Sequence, residues 1–206
     1  MTTPVREPFR SERLVYRAVQ TPGDNNLFQA ITDDYIGYQN SNLSNNKLPN
    51  AKEAARLQHV VSEGLMGAVI CLAPTTEEIA AGKLVRHGTA IGQVNLKTIG
   101  PAIAHHRLSE ISIDILPAYQ GKGYGSEAIR WTLDYAFRRT GLHKVKIRAF
   151  GWNTGAIRLY ERLGFKLEGI HREELWHDGR WWDGYEWGML DREWWDMESQ
   201  KDIESR

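Results

Sequence analysis

Along the first third of the chain the polar and apolar positions switch between two periods. "RLVYRAV" (13–19) alternates and then meets the turn signal "TPGD", which predicts a first strand. "DNNLFQAITDDYIGYQ" (24–39) changes to helical spacing, with Leu27, Ala30, Ile31 and Tyr35 on one face, and ends in the polar stretch "NSNLSNNKLPN". A second helix, "AKEAARLQHVVSEG" (51–64), is expected to stop at Gly64, where a helix end favours a residue tolerant of positive φ. "LMGAVICLAP" and "TAIGQVNLKTIG" read as strands, and the polar "TTEEIAAGKLVRHG" (75–88) between them reads as a surface connection or insertion.

From "LSEISIDIL" (108–116) onward the order becomes strand, glycine loop, helix, strand (143–150), helix (153–164) and strand ("FKLEGIHREELW", 165–176). Strands that alternate with helices predict an α/β class with a sheet at least partly parallel. Asp178-Gly179 is a hairpin signal between the last two strands, and the tail that follows from His177 carries five of the eight tryptophans. At 206 residues, one domain over 1–206 accounts for the chain.

Composition narrows the function classes. Lysine plus arginine and aspartate plus glutamate number 26 each, so no global charge favours nucleic acid or an anionic membrane. An acidic ligand must be held locally. The single cysteine, Cys71, excludes an internal disulfide, and no Cys/His set has metal-ligand spacing, so no metal is expected. The N-terminus lacks the pattern of a signal peptide, and no apolar run approaches the roughly 18 residues that span a bilayer. These features predict a soluble, cytoplasmic protein with Cys71 buried and inert.

Three glycines in six residues, "QGKGYG" (120–125), separate the isoleucine strand from a helix with Ile129, Leu133 and Ala136 on one face and Arg130, Asp134 and Arg138 on another. "RRTG" closes that helix with cations and a glycine. Glycine costs backbone entropy, and a tight connection would need one rather than three. "GYGSEA" (123–128) fits a dinucleotide fingerprint, yet "LPAYQ" intervenes before the first glycine and "HKVKIRAF", some 20 positions on, has no carboxylate. A nicotinamide-dependent oxidoreductase is therefore the weaker alternative. The loop instead suits a diphosphate, because orphan amides and the helix dipole both favour negative charge at a helix N-terminus.

"QGKGYG" after "ILPAY" resembles the Gln/Arg-x-x-Gly-x-Gly segment of the GNAT superfamily of acetyl-CoA-dependent N-acyltransferases, and "NTGAIRLYERLGFKLEG" is similar to its second signature, in which an asparagine, a small residue, a tyrosine and a terminal Gly-Phe recur. The resemblance covers residues 12 to about 190. "RLVYRA", the later "EG" and the tryptophan-rich end look like the branch that contains ribosomal-protein N-terminal acetyltransferases. It implies a GNAT-type mixed, strongly twisted central sheet flanked by helices, with acetyl-CoA as cosubstrate. By the same resemblance, main-chain groups of Ile113, Ile115 and Leu116 pair with pantetheine, and one of this segment's N–H groups stabilises the oxyanion. Gln120, Gly121, Lys122, Gly123, Tyr124, Gly125 and Ser126 would hold the diphosphate, and Asn153 and Ala156 the pantetheine arm.

Acyl transfer to an amine needs a neutral amine, an oxyanion site and a proton for the leaving thiolate. On "LSEISIDIL", Glu110, Ser112 and Asp114 fall on the face opposite Ile111, Ile113 and Ile115, so Glu110 can serve as the base, directly or through water, or else face solvent. Asp114 is expected to be structural. Tyr160 can supply the proton or simply pack in the core. Asp33 and Asp34, with Trp181, Trp182 and Tyr185, would shape a pocket for a cationic acceptor, either a peptide N-terminus or a small amine. A CoA-binding regulatory module without turnover is the alternative of a different class, and the chain would act as a monomer or homodimer.

Overall fold

The computed structural model describes residues 7–75, 77 and 87–204. Seven strands form one sheet: β1 (Leu14–Arg17), β2 (Met66–Leu72), β3 (Ala90–Leu96), β4 (Leu108–Ile115), β5 (Lys144–Phe150), β6 (Lys166–His177) and β7 (Arg180–Leu190). Their spatial order is β1-β2-β3-β4-β5-β7-β6. Every neighbouring pair is antiparallel except β4 and β5. The sheet is therefore mixed, with a single parallel seam at its centre.

Three helices, α1 (Asn25–Asp33), α2 (Tyr35–Ser41) and α3 (Ala51–Ser62), precede β2. The sequence pattern predicts one helix across 24–39, but Asp34 breaks it with ψ 85. Burial explains the break: α1 buries Leu27, Phe28 and Ile31, whereas Tyr35 and Ile36 are exposed and α2 buries only Tyr38. The apolar stripe changes direction at Asp34, and the backbone turns with it. Asn50 caps α3 by accepting the Lys52 and Glu53 N–H groups at 3.0 and 3.1 Å.

Gly64 is not in the left-handed region, contrary to the expectation from sequence. It is required for close approach instead, since a Cβ there would lie 2.9 Å from the Leu96 carbonyl oxygen. Gly67 is tighter still, because a Cβ would overlap the backbone carbonyl of Val61. Gly67→Ala is expected to destabilise the fold by about 3 kcal/mol, the upper range for overpacking against backbone that cannot move aside. A urea midpoint within error of the parent would contradict that packing.

On one face of the sheet, α4 (Tyr124–Asp134) buries Ala128, Ile129 and Leu133 against Val94, Leu96 and Ile111. A π-helical turn over Tyr135–Arg139 extends α4 and buries Ala136 and Phe137, and Gly141 follows at φ 63. On the other face, Leu27 and Ile31 pack on Val69 and Cys71. Cys71 is fully buried and burial raises its thiol pKa, as an inert cysteine requires. Asp178 and Gly179 turn the β6–β7 hairpin at φ 48 and 77. The last helix, α6 (Asp191–Glu204), has no counterpart in the sequence reading; its Trp194 is buried against Phe137. The polar stretch 75–88 lies, apart from its ends, outside the described residues.

Candidate active site

β4 and β5 pair only at Leu108–Lys144, Ser109–Val145 and Glu110–Lys146, and beyond that register no further pair joins them. On its other edge β4 stays bonded to β3 as far as Ile115. Lys97 N–H donates to the Glu110 carbonyl at 3.0 Å and Leu116 N–H to the Ile91 carbonyl at 2.9 Å, so the even-numbered residues turn their main-chain groups toward β3. Ile113 and Ile115 turn theirs toward the opening. The splay thus leaves a stretch of unpaired strand edge lining a cavity of about 700 Å³, which suits an extended ligand that adds like a strand. Leu116 lines the same cavity, but its N–H is already engaged; Ile115's carbonyl accepts the Gln120 side-chain amide at 2.8 Å.

The glycine loop closes one end of this cavity. Gly121 and Gly123 sit at φ 72 and 84, which only glycine adopts without strain, whereas Gly125 is the second residue of α4 and keeps ordinary dihedrals. Two of the three glycines therefore shape the turn and the third leaves backbone bare where it faces the cavity. The first helical bond runs from Glu127 N–H to the Gly123 carbonyl at 3.1 Å, so the N–H groups of residues 124 to 126 precede any helical acceptor. Ser126 donates its hydroxyl to Gly123's carbonyl at 2.8 Å. Gln120, Gly121, Gly123, Gly125 and Ser126 line the cavity. Lys122 and Tyr124 do not: the Lys122 ammonium donates to the Ala118 carbonyl at 2.8 Å, and Tyr124 lies under the Arg13 guanidinium.

A brace that sequence reasoning missed holds this loop. Arg13 donates to the Lys122 carbonyl at 3.0 Å and to Glu127 Oε2 at 2.8 Å, while its main-chain N–H reaches Glu127 Oε1 at 2.7 Å. Ser11 donates to the same oxygen at 2.7 Å. These contacts span more than a hundred residues of sequence, so no local pattern signals them.

α5 (Thr154–Arg162) brings Tyr160 to the opposite wall. Asn153 caps this helix, its Oδ1 accepting the Ala156 N–H at 3.1 Å, and both residues line the cavity. The far end is locked by the Gly-Phe pair: Gly164, at φ 90, donates to the Glu161 carbonyl at 3.0 Å and Phe165 N–H to the Tyr160 carbonyl at 3.1 Å. That pair of bonds is a Schellman motif, and it fixes the turn that carries Tyr160. Tyr160 is 7% exposed, and its hydroxyl has no hydrogen-bond partner among the described residues. Burial, then the negative charge of Asp114, pushes its pKa well above the usual phenol range, so it keeps its proton.

Glu110, Ser112 and Asp114 all reach the cavity from β4. Glu110 is paired with Lys97, its neighbour across the β3–β4 register. Asp114 accepts from the Gln93 side-chain amide at 2.7 Å, and burial raises its carboxyl pKa. From the far side Asp34 and Ser41 approach. Asp33 lies outside this lining and accepts from Gln29 at 2.8 Å. Among the described residues no group of three or more His, Cys, Asp or Glu side chains could hold a metal.

The profile of the acetyltransferase (GNAT) family matches residues 60–165, about half of the chain and including β4, the glycine loop and Tyr160. The chain belongs to the GNAT family. Its spermidine N(1)-acetyltransferase relative from Vibrio cholerae is 41% identical over 78 residues, 38% of this chain and 45% of the relative. The corresponding Escherichia coli K12 enzyme is 37% identical over 75 residues, 36% of this chain and 40% of the relative. The match thus spans about half the length of these curated GNAT relatives. Among solved GNAT structures, V. cholerae spermidine N-acetyltransferase in complex with CoA and spermine superposes with a TM-score of 0.69 at 25% identity, over 89% of this chain and 99% of that one. A Bacillus anthracis GNAT acetyltransferase reaches 0.70 at 21% identity over 89% and 98%, which speaks for the fold alone.

The likeness to the ribosomal-protein branch finds no support among these relatives, which include spermidine enzymes instead. Trp181, Trp182 and Tyr185 are also displaced from the role expected of them. They lie on the β6–β7 hairpin outside the cavity lining, where Trp181 packs on Trp176 and Trp182 on Trp152. Among the described residues no helix is long and apolar enough to cross a membrane.

Proposed function

We propose that this protein transfers an acetyl group from acetyl-CoA to a primary amine of a small molecule by direct attack, without a covalent enzyme intermediate. One observation carries the reading: a single cavity joins an unpaired β4 edge, bare N–H groups at the start of α4, and the Tyr160 phenol. The glycine loop takes the diphosphate and the β4 edge takes the pantetheine amides. Asn153 and Ala156 flank the arm. In this reading Ile113 N–H, one of the main-chain groups turned toward the opening, donates to the developing oxyanion, a contribution on the order of 3 kcal/mol.

Glu110 accepts the proton that the ammonium must lose, directly or through water, and Lys97 holds the carboxylate in place beforehand. An alkylamine of pKa about 10 must be brought to its neutral form at a cost of about 4 kcal/mol at pH 7. The amine nitrogen then bonds to the thioester carbon, the carbon–sulfur bond breaks as Tyr160 gives its proton to the departing sulfur, and the nitrogen's surplus proton leaves as the amide forms and restores the phenol. The products are an acetamide, CoA thiol and the proton taken by Glu110.

The relatives' acceptors favour a small amine over a peptide N-terminus. A monomer or homodimer in the cytoplasm remains part of this proposal, beside a V. cholerae neighbour described as dodecameric. The test is thiol release from acetyl-CoA across small amines and N-terminal peptides, with the acetylated product weighed by mass spectrometry. Amine-dependent release with a product heavier by one acetyl group is expected. Tight CoA binding with no release from any acceptor would favour the regulatory module.

A further inference from the structure

We propose that Lys97 is itself an acceptor: when no amine substrate is present, the protein transfers the acetyl group of acetyl-CoA to Lys97 Nζ and silences its own site. The inference rests on the proposed amine acetylation and adds a modification site to it. Lys97 is the one lysine among the described residues that lines the cavity. Its ammonium donates to the Glu110 carboxylate, the group that takes the acceptor's proton in the proposed reaction. A protein ammonium thus rests where a substrate ammonium must come.

The position of Lys97 is fixed at its backbone and free at its tip. It follows the last residue of β3, its N–H donates to the Glu110 carbonyl at 3.0 Å, and its carbonyl accepts the hydroxyl of the fully buried Ser109 at 2.7 Å. The side chain above this anchor is a flexible four-carbon stem, 47% exposed, so Nζ can swing from Glu110 along the cavity toward Ile113 on the open β4 edge. Lys146 makes the contrast. It stands opposite Glu110 on β5 in the strand register, yet it lies outside the cavity lining and faces Glu186 at 3.8 Å.

The step uses the groups already assigned. The Lys97 ammonium passes one proton to Glu110, and its nitrogen bonds to the thioester carbon. The carbon–sulfur bond breaks as Tyr160 gives its proton to the sulfur, and the nitrogen's surplus proton leaves as the amide forms and restores the phenol. The products are acetylated Lys97, CoA thiol and a proton on Glu110. The neutral acetamide no longer pairs with Glu110, and its added bulk lies in the path of an incoming amine. Acetyl-CoA without acceptor therefore turns the site off.

In the test, the parent protein is incubated with acetyl-CoA and no amine, and acetylation at each lysine is followed by peptide mass spectrometry. Lys97 is expected to react at least tenfold faster than Lys146 and than the exposed Lys52, at a rate per chain independent of protein concentration. Tyr160→Phe and Glu110→Gln should each slow Lys97 at least tenfold and leave Lys52 unaltered. Tyr160→Phe keeps the packing, so it decides the matter if Glu110→Gln misfolds. Turnover of a small amine should fall in proportion to Lys97 acetylation, and Lys97→Arg, read against its own starting rate, should show no such decline. Where small amines do release thiol, four results overturn self-acetylation alone: Lys97 reacting no faster than Lys52, a Lys97 rate unchanged in Tyr160→Phe, a per-chain rate that rises with protein concentration, or turnover that survives full acetylation of Lys97. No thiol release with any amine and no acetyl group on Lys97 overturns the acetyltransferase reading and this inference with it.

Discussion

Gly123→Val should weaken acetyl-CoA binding at least tenfold, about 1.4 kcal/mol, while the protein stays folded. Residue 123 is at φ 84, where a β-branched side chain is strained, and a Cβ would stand 3.2 Å from Arg13 Nη2. The substitution therefore acts twice: it twists the loop whose N–H groups are to meet the diphosphate, and it pushes on the arginine that ties the loop to Glu127. The strain is local and exposed, so near-ultraviolet circular dichroism should be retained. Calorimetric titration reads the affinity, and an unchanged dissociation constant would remove the glycine loop from the binding site.

Tyr160→Phe should lower turnover about 100-fold, within the range for loss of one general acid, and change acetyl-CoA affinity less than about threefold. The ring is buried and its hydroxyl has no hydrogen-bond partner among the described residues, so phenylalanine keeps the packing and removes the hydroxyl with its proton. Because the phenol pKa is raised, Tyr160 stays protonated throughout the neutral range and on the acid side of it. A fall in rate at low pH therefore belongs to the amine and its base rather than to Tyr160. Full activity in the phenylalanine variant would make Tyr160 a packing residue only.

Local signals were legible in the chain and non-local ones were not. The Asp178-Gly179 hairpin and the helix read over 153–164 each depend on residues a few positions apart, and the structure shows the hairpin turn and a helix over Thr154–Arg162 closed at Gly164. The alternation that set Glu110 and Asp114 on one face held because β4 is regular from Leu108 to Ile115. The insertion of β7 between β5 and β6, the Arg13–Glu127 brace and the Gln93–Asp114 contact depend on segments far apart in sequence. α6 is not signalled by sequence because "DREWWDMESQKDIE" has no apolar stripe; Trp194 is buried and Met197 packs beside it against the core. At Gly64 the local pattern predicts a turn conformation, whereas its constraint is a neighbouring strand's carbonyl, which no local pattern reveals.

On the proposed function, the opening between β4 and β5, with the glycine loop at its end, binds acetyl-CoA. Parallel calorimetric titrations of the parent protein with acetyl-CoA, CoA and NADH test it most directly. Micromolar binding of acetyl-CoA and CoA at one site per chain, and none of NADH, is the expected result. NADH binding, or no heat with either CoA species while the protein is folded, would contradict it.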